Sequence, residues 1–267
     1  MADSDIVEKE TLFVNLEGFV SEVILYNPGN KKVLLGFHGF GGSASSFRRI
    51  VKWLPADVSL YSVSLPWHGK TEDPEDKLLD PESYSEAVSK WISTLECDKV
   101  SLIAHSFGAR LCSVLAAQHP ALIEQIFYLA PGGFYKWEDA MFRIIEMQPF
   151  KYLSRFDVFI RPYAKFLIPG LKPAQEAKVL HALRKIGYSF PKVSIRKTGI
   201  INELNVFDGP FWLILGKKDR LLPYSESEKI LSYWKNGHLL GIDNCGHLPM
   251  AEKPEITGKF IAEKLSG

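Results

Sequence analysis

The chain has 267 residues, of which 46% are hydrophobic and 24% charged, enough apolar material for a large core and an ordinary surface for a globular protein. Its 32 Lys/Arg and 31 Asp/Glu leave a formal net charge of +1, so no overall field draws it to nucleic acid. The polar, acidic first ten residues lack the basic and apolar regions of a secretory signal, and no run approaches the roughly 18 uninterrupted apolar residues of a membrane span.

Two strand signals come first, residues 19–26 and 32–37, and Asn27-Pro28-Gly29-Asn30 between them predicts a hairpin. Residues 45–53 carry apolar side chains at helical spacing, and a strand follows at 58–63. A helix over 81–95 opens with Asp80 as cap and Pro81 at its first position. Strand 99–104 runs into a helix of small apolar residues, 107–118, which ends at His119-Pro120, and strand 125–129 comes next. From 134 to 206 there is no strand pattern. Amphipathic helical stretches at 137–147, 156–167 and 173–186 are punctuated there by Pro149, Pro162, Pro169, Pro173 and Pro191. Strand 211–215, helix 225–234, strand 237–242 and helix 254–265 close the chain. Strands alternating with helices predict an α/β fold, a mostly parallel sheet with helices on both faces, and the all-helical insertion predicts a lid over it.

A serine is a weak nucleophile unless it is held exposed beside a base, and a sharp strand-to-helix turn holds it so. Ala104-His105-Ser106-Phe107-Gly108 falls at such a turn. The bend crowds the positions two before and two after Ser106, and both carry small residues, Ala104 and Gly108. The helix that follows aims its free N–H groups and positive end at any oxyanion forming on a substrate. A serine merely capping a buried helix is the alternative.

These residues resemble the nucleophile elbow of the α/β-hydrolase family, with Ala104 in place of the commoner first glycine. His38-Gly39-Phe40-Gly41-Gly42-Ser43, directly after strand 32–37, resembles the family's His-Gly-x oxyanion segment. The resemblance implies an oxyanion hole formed by the backbone N–H groups of Phe40 and Phe107. A plain glycine-rich turn is the alternative; a phosphate cradle is disfavoured because no Gly-Lys-Ser/Thr ending follows. His38 is expected to prop this loop. Leu65-Pro66-Trp67-His68-Gly69-Lys70-Thr71 resembles the family's Leu-Pro-Gly-His-Gly-x-Ser/Thr turn, with Trp67 departing from glycine, and assigns His68 to the scaffold.

A base needs an imidazole that reaches Ser106 and a carboxylate that fixes its tautomer. Of seven histidines, His119 ends a helix, His181 lies in the insertion, His238 starts a strand, and His105 adjoins the serine with its side chain expected to point elsewhere. His247 follows the last strand in Gly246-His247-Leu248-Pro249, which resembles the family's Gly-His-Leu-Pro-x-x-Glu-x-Pro through Pro254 and implies that His247 is the base. Gly216-Lys217-Lys218-Asp219 resembles the family's Gly-x-x-Asp and implies Asp219 as the acid. Asp243 is the rival, Asp208 lies at the wrong end of the sheet, and Pro131-Gly132-Gly133 offers no carboxylate after the family's sixth strand. The chain order Ser, Asp, His is the one expected of this fold.

The resemblance spans nearly all of the chain outside the insertion and implies a core of residues 1–133 and 207–267, with a helical cap of residues 134–206 inserted after strand six. It calls for no cofactor and no metal. The cap holds 13 Lys/Arg against 6 Asp/Glu, so it carries seven excess positive charges and the rest of the chain six excess negative ones. An anionic substrate or an anionic lipid surface would suit that segregation, and so would simple solvated helix faces. Cap aromatics such as Phe142, Phe150 and Phe166 either line a pocket or pack cap to body. Arg110, one turn past Ser106, resembles an arginine of the menaquinone-pathway branch, and its expected role is structural.

The expected activity is hydrolysis of a small, partly apolar ester. A carbon–carbon bond hydrolase acting on an anionic diketone, or a ligand receptor retaining the triad with little turnover, are the alternatives. Ser106 disfavours haloalkane dehalogenases and epoxide hydrolases, which use aspartate. Cys97, Cys112 and Cys245, odd in number and far apart, read as buried small hydrophobes, so the expected location is cytoplasmic, with no stable membrane insertion and no nucleic-acid partner.

Overall fold

The computed structural model describes residues 9–71, 79–133, 156–167, 207–232 and 236–266, with further helical positions at 153, 173, 176, 177, 180, 181 and 184. Eight strands form one sheet: β1 (Lys9–Leu16), β2 (Phe19–Tyr26), β3 (Lys32–Phe37), β4 (Val58–Val63), β5 (Val100–His105), β6 (Ile123–Leu129), β7 (Phe211–Gly216) and β8 (Gly237–Ile242). Their spatial order is β1-β2-β4-β3-β5-β6-β7-β8, antiparallel from β1 to β4 and parallel from β4 to β8.

The central strands are apolar on both faces because helices cover both. Leu35, Phe37, Leu102, Ala104 and Tyr128 point into one core with Val88 and Ile92 of α1 (Pro81–Ile92) and Leu111 and Leu115 of α2 (Gly108–Gln118). Leu34, Ile103, Phe127 and Leu129 point the other way, toward Phe47, Ile50 and Ile261. Ile261 belongs to the last helix, which spans Pro254–Ser266. As expected, Asp80 caps α1: its carboxylate accepts from the Ser83 N–H at 3.0 Å, and Pro81 occupies the first turn.

Two expectations are corrected first. The strands at 19–26 and 32–37 are not a hairpin, because β4 lies between them. Their turn instead grips β4. The Ser59 hydroxyl donates to the Asn27 carbonyl and accepts from the Asn30 N–H at 3.1 Å. The real hairpin joins β2 to β1, a strand that the polar start of the chain disguised. Glu17 and Gly18, both at positive φ (53° and 72°), make the two-residue turn whose twist suits a hairpin. Residues 45–53 are not an α-helix. The chain there runs in successive i→i+3 turns, such as Arg48 N–H to Ser45 carbonyl and Ile50 N–H to Phe47 carbonyl, ending in a 3₁₀ turn at Val51–Trp53. Phe47, Ile50 and Val51 are nonetheless buried and Trp53 is half-buried, since three-residue spacing also keeps one face inward.

Between β6 and β7, Asp157–Leu167 is a helix, here α3, and the described positions between 173 and 184 are helical. The stretch expected at 137–147 lies outside the described residues. Of the helix expected over 225–234, the described part is a 3₁₀ turn, Tyr224–Glu226, followed by α4 (Ser227–Leu231), and residues 233 and 234 lie outside the described residues; Pro254–Ser266 is α5. Among the described residues no helix is long and apolar enough to cross a membrane. Because β3, β5, β7 and β8 run in one direction, the loops after all four open at the same edge of the sheet.

Candidate active site

Ser106 follows β5 with φ at 48°, a left-handed conformation that costs a non-glycine residue about 1–3 kcal/mol and persists only where its surroundings enforce it. They do so here by hydrogen bonding. The Ser106 N–H donates to the Leu129 carbonyl at 3.1 Å, and the Ser106 carbonyl accepts from Ala109 and Gly132, each at 3.0 Å. Gly108 is obligatory: a Cβ there would sit 2.3 Å from the Phe37 carbonyl oxygen. Ala104 is fully buried, so the crowding on both sides of the serine is real. Helix α2 starts at Gly108, and among the described residues the Phe107 N–H has no hydrogen-bond acceptor.

The loop after β3 presses onto this elbow. A Cβ on Gly39 would stand 2.9 Å from that of Ser106, so only glycine permits the approach. The Phe40 and Phe107 rings stack at 4.1 Å, which lays the two candidate donor segments side by side. His38 is fully buried and props the loop as expected. It donates from Nδ1 to the Gly39 carbonyl (2.7 Å) and accepts the Leu65 N–H at Nε2 (2.9 Å). His68 repeats the pattern, donating to the Pro66 carbonyl (2.8 Å) and accepting the Gly41 N–H (3.0 Å). Both are scaffold. Burial, then the neighbouring His68, holds the His38 imidazole well below its usual pKa and therefore neutral.

Asp219 and His247 meet across the ends of β7 and β8. The His247 Nδ1–H donates to Asp219 Oδ2 at 2.8 Å, with the Asp219 side chain 0% and the His247 side chain 11% exposed. The other carboxylate oxygen accepts the N–H groups of Leu221 (2.8 Å) and Leu222 (3.1 Å), which offset its desolvation. With Nδ1 protonated, Nε2 is the ring's proton acceptor. Gly216 allows the two loops to touch, since a Cβ there would lie 2.1 Å from the Gly246 carbonyl oxygen. Asp243, the rival acid, is 79% exposed and pairs with Lys217 at 3.0 Å instead. The remaining histidines are engaged elsewhere or on the surface: His119 lies 3.2 Å from Glu86, His238 stacks on Trp212 at 4.5 Å, and His181 is exposed. Arg110 is buried in α2.

His105 departs from expectation. Its side chain does not turn away from the site: Nε2–H donates to the His247 backbone carbonyl at 2.9 Å, and the two rings lie 4.9 Å apart. Burial and the adjacent His247 push its pKa down to about 3. Glu252, quoted in the motif but given no role, accepts the Gly246 N–H at 2.8 Å and the Leu248 N–H at 3.0 Å. A buried polar ring at a strand end must find partners, and that requirement was the available signal for His105.

A parallel sheet with a serine elbow, a glycine-rich loop beside it and a buried Asp–His pair on the next loops is the architecture of a hydrolase. The alpha/beta hydrolase family model matches residues 33–257, and the chain belongs to that family. Among its relatives is the monoacylglycerol lipase ABHD6 of Homo sapiens, 24% identical over 262 residues, covering 90% of this chain and 77% of the relative. The uncharacterized hydrolase YugF of Bacillus subtilis (strain 168) is likewise 24% identical over 254 residues, covering 89% of this chain and 90% of its own. In fold the chain is similar to a bacterial membrane phospholipase A (TM-score 0.79, 21% identity, 98% of this chain and 86% of that one). It is also similar to the carboxylesterase CesB of Bacillus subtilis (TM-score 0.77, 16% identity, 98% and 93%).

The buried imidazoles make stability depend on pH. His105 titrates near 3 when folded and near 6.5 when unfolded, so below about pH 6.5 the unfolded chain binds more protons. Its contribution is complete above that value and declines as pH falls, by on the order of 2 kcal/mol between pH 6.5 and pH 5. Urea unfolding is expected to show a lower midpoint at pH 5 than at pH 7.5; equal midpoints would contradict the neutral, buried state of His105.

Proposed function

We propose that this protein hydrolyses carboxylic esters, with Ser106 as nucleophile, His247 as general base, Asp219 as its orienting acid, and the Phe40 and Phe107 N–H groups as oxyanion hole. The carrying observation is the 2.8 Å contact of His247 with a fully desolvated Asp219, at the sheet edge where Ser106 sits on its strained elbow. Relatives named as a monoacylglycerol lipase and a carboxylesterase support an ester as the substrate class.

Chemically, the Ser106 hydroxyl attacks the acyl carbon while His247 Nε2 takes its proton. The carbonyl oxygen becomes an oxyanion facing the two backbone donors. Collapse of this intermediate breaks the ester bond, and the imidazolium returns its proton to the departing alkoxide. Water then attacks the acyl-serine, His247 takes the water's proton, and on release of the carboxylic acid the proton goes back to Ser106. Asp219 stays ionised and stabilises the imidazolium at both steps.

In this proposal residues 1–133 and 207–267 form the catalytic core and residues 134–206 a basic cap that favours a partly apolar, anionic substrate. The three free thiols suit a reducing, cytoplasmic setting. A specific surface feature favours a second role for the cap. On α3, Val158 and Phe159 are 70% and 54% exposed beside exposed Lys165 and an Arg161 that also pairs with Glu176, and Phe156 precedes them at 47%. Exposed apolar side chains bordered by cations suit contact with an anionic lipid surface.

Two measurements test these proposals. Turnover of short p-nitrophenyl esters is expected to fall by on the order of 10⁴-fold or more in Ser106→Ala and by about 10³–10⁴-fold in Asp219→Asn. Unchanged turnover in Ser106→Ala would overturn the mechanism, and tight ligand binding without turnover in the wild type would favour a receptor. Vesicles rich in phosphatidylglycerol are expected to co-sediment the protein, and those of phosphatidylcholine alone are not. A Val158→Asp/Phe159→Asp double variant that binds the anionic vesicles as well as wild type would rule out α3 as the contact.

A further inference from the structure

Catalysis by an imidazole depends on where its Cα is held, because the ring pivots from that point. Besides the turn bonds that the Leu248 carbonyl accepts from the Ala251 and Glu252 N–H groups, the side chains of two residues outside the loop hold the backbone around His247 by three hydrogen bonds, none of them made by the His247 ring. Glu252 uses one carboxylate oxygen on the Gly246 N–H (2.8 Å) and the other on the Leu248 N–H (3.0 Å). The carbonyl between them, that of His247 itself, accepts from His105 Nε2–H (2.9 Å). Glu252 sits in the helical turn Pro249–Glu252 just past the loop, whereas His105 is the last residue of β5 and the covalent neighbour of Ser106. A single bond thus ties the loop of the base to the elbow of the nucleophile, across 142 positions of sequence.

We propose that His105 and Glu252 are positioning residues: they lock residues 246–248 so that the His247 ring stays aimed from Asp219 toward Ser106. This rests on the triad proposed above and adds to it the parts that fix its geometry. The chemistry of each residue suits the task. A carboxylate is the one side chain of this length that accepts two flanking N–H groups with two equivalent oxygens. At position 105 the donor must be neutral, because a fixed cation against the His247 ring would oppose the imidazolium that the reaction forms. His105 meets that demand: its ring is buried against His247 and near Asp219, and it remains uncharged through the neutral range.

Four proteins decide the matter: wild type, His105→Gln, His105→Leu and Glu252→Ala, assayed for kcat and KM on p-nitrophenyl butyrate and for the rate of fluorophosphonate labelling. Glutamine places a neutral N–H near the Nε2 position; leucine fills the space without a donor. Misplacing a catalytic group by about 1 Å costs on the order of 100-fold, so His105→Leu and Glu252→Ala are expected to lose about 10- to 100-fold in kcat and in labelling rate, with KM unchanged. His105→Gln is expected to recover most of the loss. Full kcat in His105→Leu, an equal loss in folded glutamine and leucine variants, or a change confined to KM would overturn the proposal. Should the His105 variants not fold, the exposed Glu252 side chain carries the same test, and full kcat in Glu252→Ala would overturn it. A wild type that neither labels nor turns over ester would remove the triad and the tether together, whereas an active wild type matched by His105→Leu would remove the tether alone.

Discussion

A carboxylate with no exposure to solvent is stable only if fixed donors take the place of the water it has lost. Asp219 finds three: the N–H groups of Leu221 and Leu222 and the His247 ring. Two of these are local to the turn after β7, but the third comes from the loop after β8, so the buried charge binds the two strand ends together. The adjacent glycine makes the contact sterically feasible, because at residue 216 any side chain would strike the carbonyl of Gly246. The same contact sets which imidazole nitrogen holds the proton, and with it what the ring can accept. Packing, electrostatics and tautomer are one event here.

Around that pair the sheet supplies alignment and the histidines supply rigidity without charge. His38, His68 and His105 each bridge two backbone groups or loops through a ring nitrogen, and His38 and His105 are held neutral by burial. Glu22 does similar work beneath the 64–71 turn, where its carboxylate accepts the Ser64 hydroxyl and the Lys70 N–H, both at 3.0 Å. Ser64 in turn accepts the Ala44 N–H at 2.8 Å, linking that turn to the loop after β3. The polar residues nearest this edge of the sheet therefore serve mainly to hold backbone in place.

What could be seen in the sequence was what sterics dictate locally. Small residues flanking Ser106, glycines after β3, and an Asp and a His each trailing an apolar strand are signals carried within a few positions. The interior strands were visible because parallel, doubly covered strands leave long apolar runs. Pairing was harder. Nothing in 27–30 discloses that the turn leads away from its partner strand, because that depends on β4 slotting in from 28 residues further on. β1 is an edge strand with mostly solvent-facing residues, so its apolar signal is thin. Residues 45–53 have a pattern that serves a 3₁₀ path as well as an α-helix. The orientation expected for His105 was wrong because its partner is a backbone carbonyl, and carbonyls leave no trace in residue identity.

Because the account depends on a strained serine, a buried acid–base pair and two backbone donors converging on one acyl carbon, a crystal structure of the covalent phosphonate adduct tests it most directly. The expected result is density continuous from the oxygen of Ser106 to phosphorus, with the phosphoryl oxygen within hydrogen-bond distance of the Phe40 and Phe107 nitrogens. The His247 ring would lie against the serine oxygen while still bonded to Asp219. An adduct on another residue, or an imidazole out of reach of the modified serine, would contradict it.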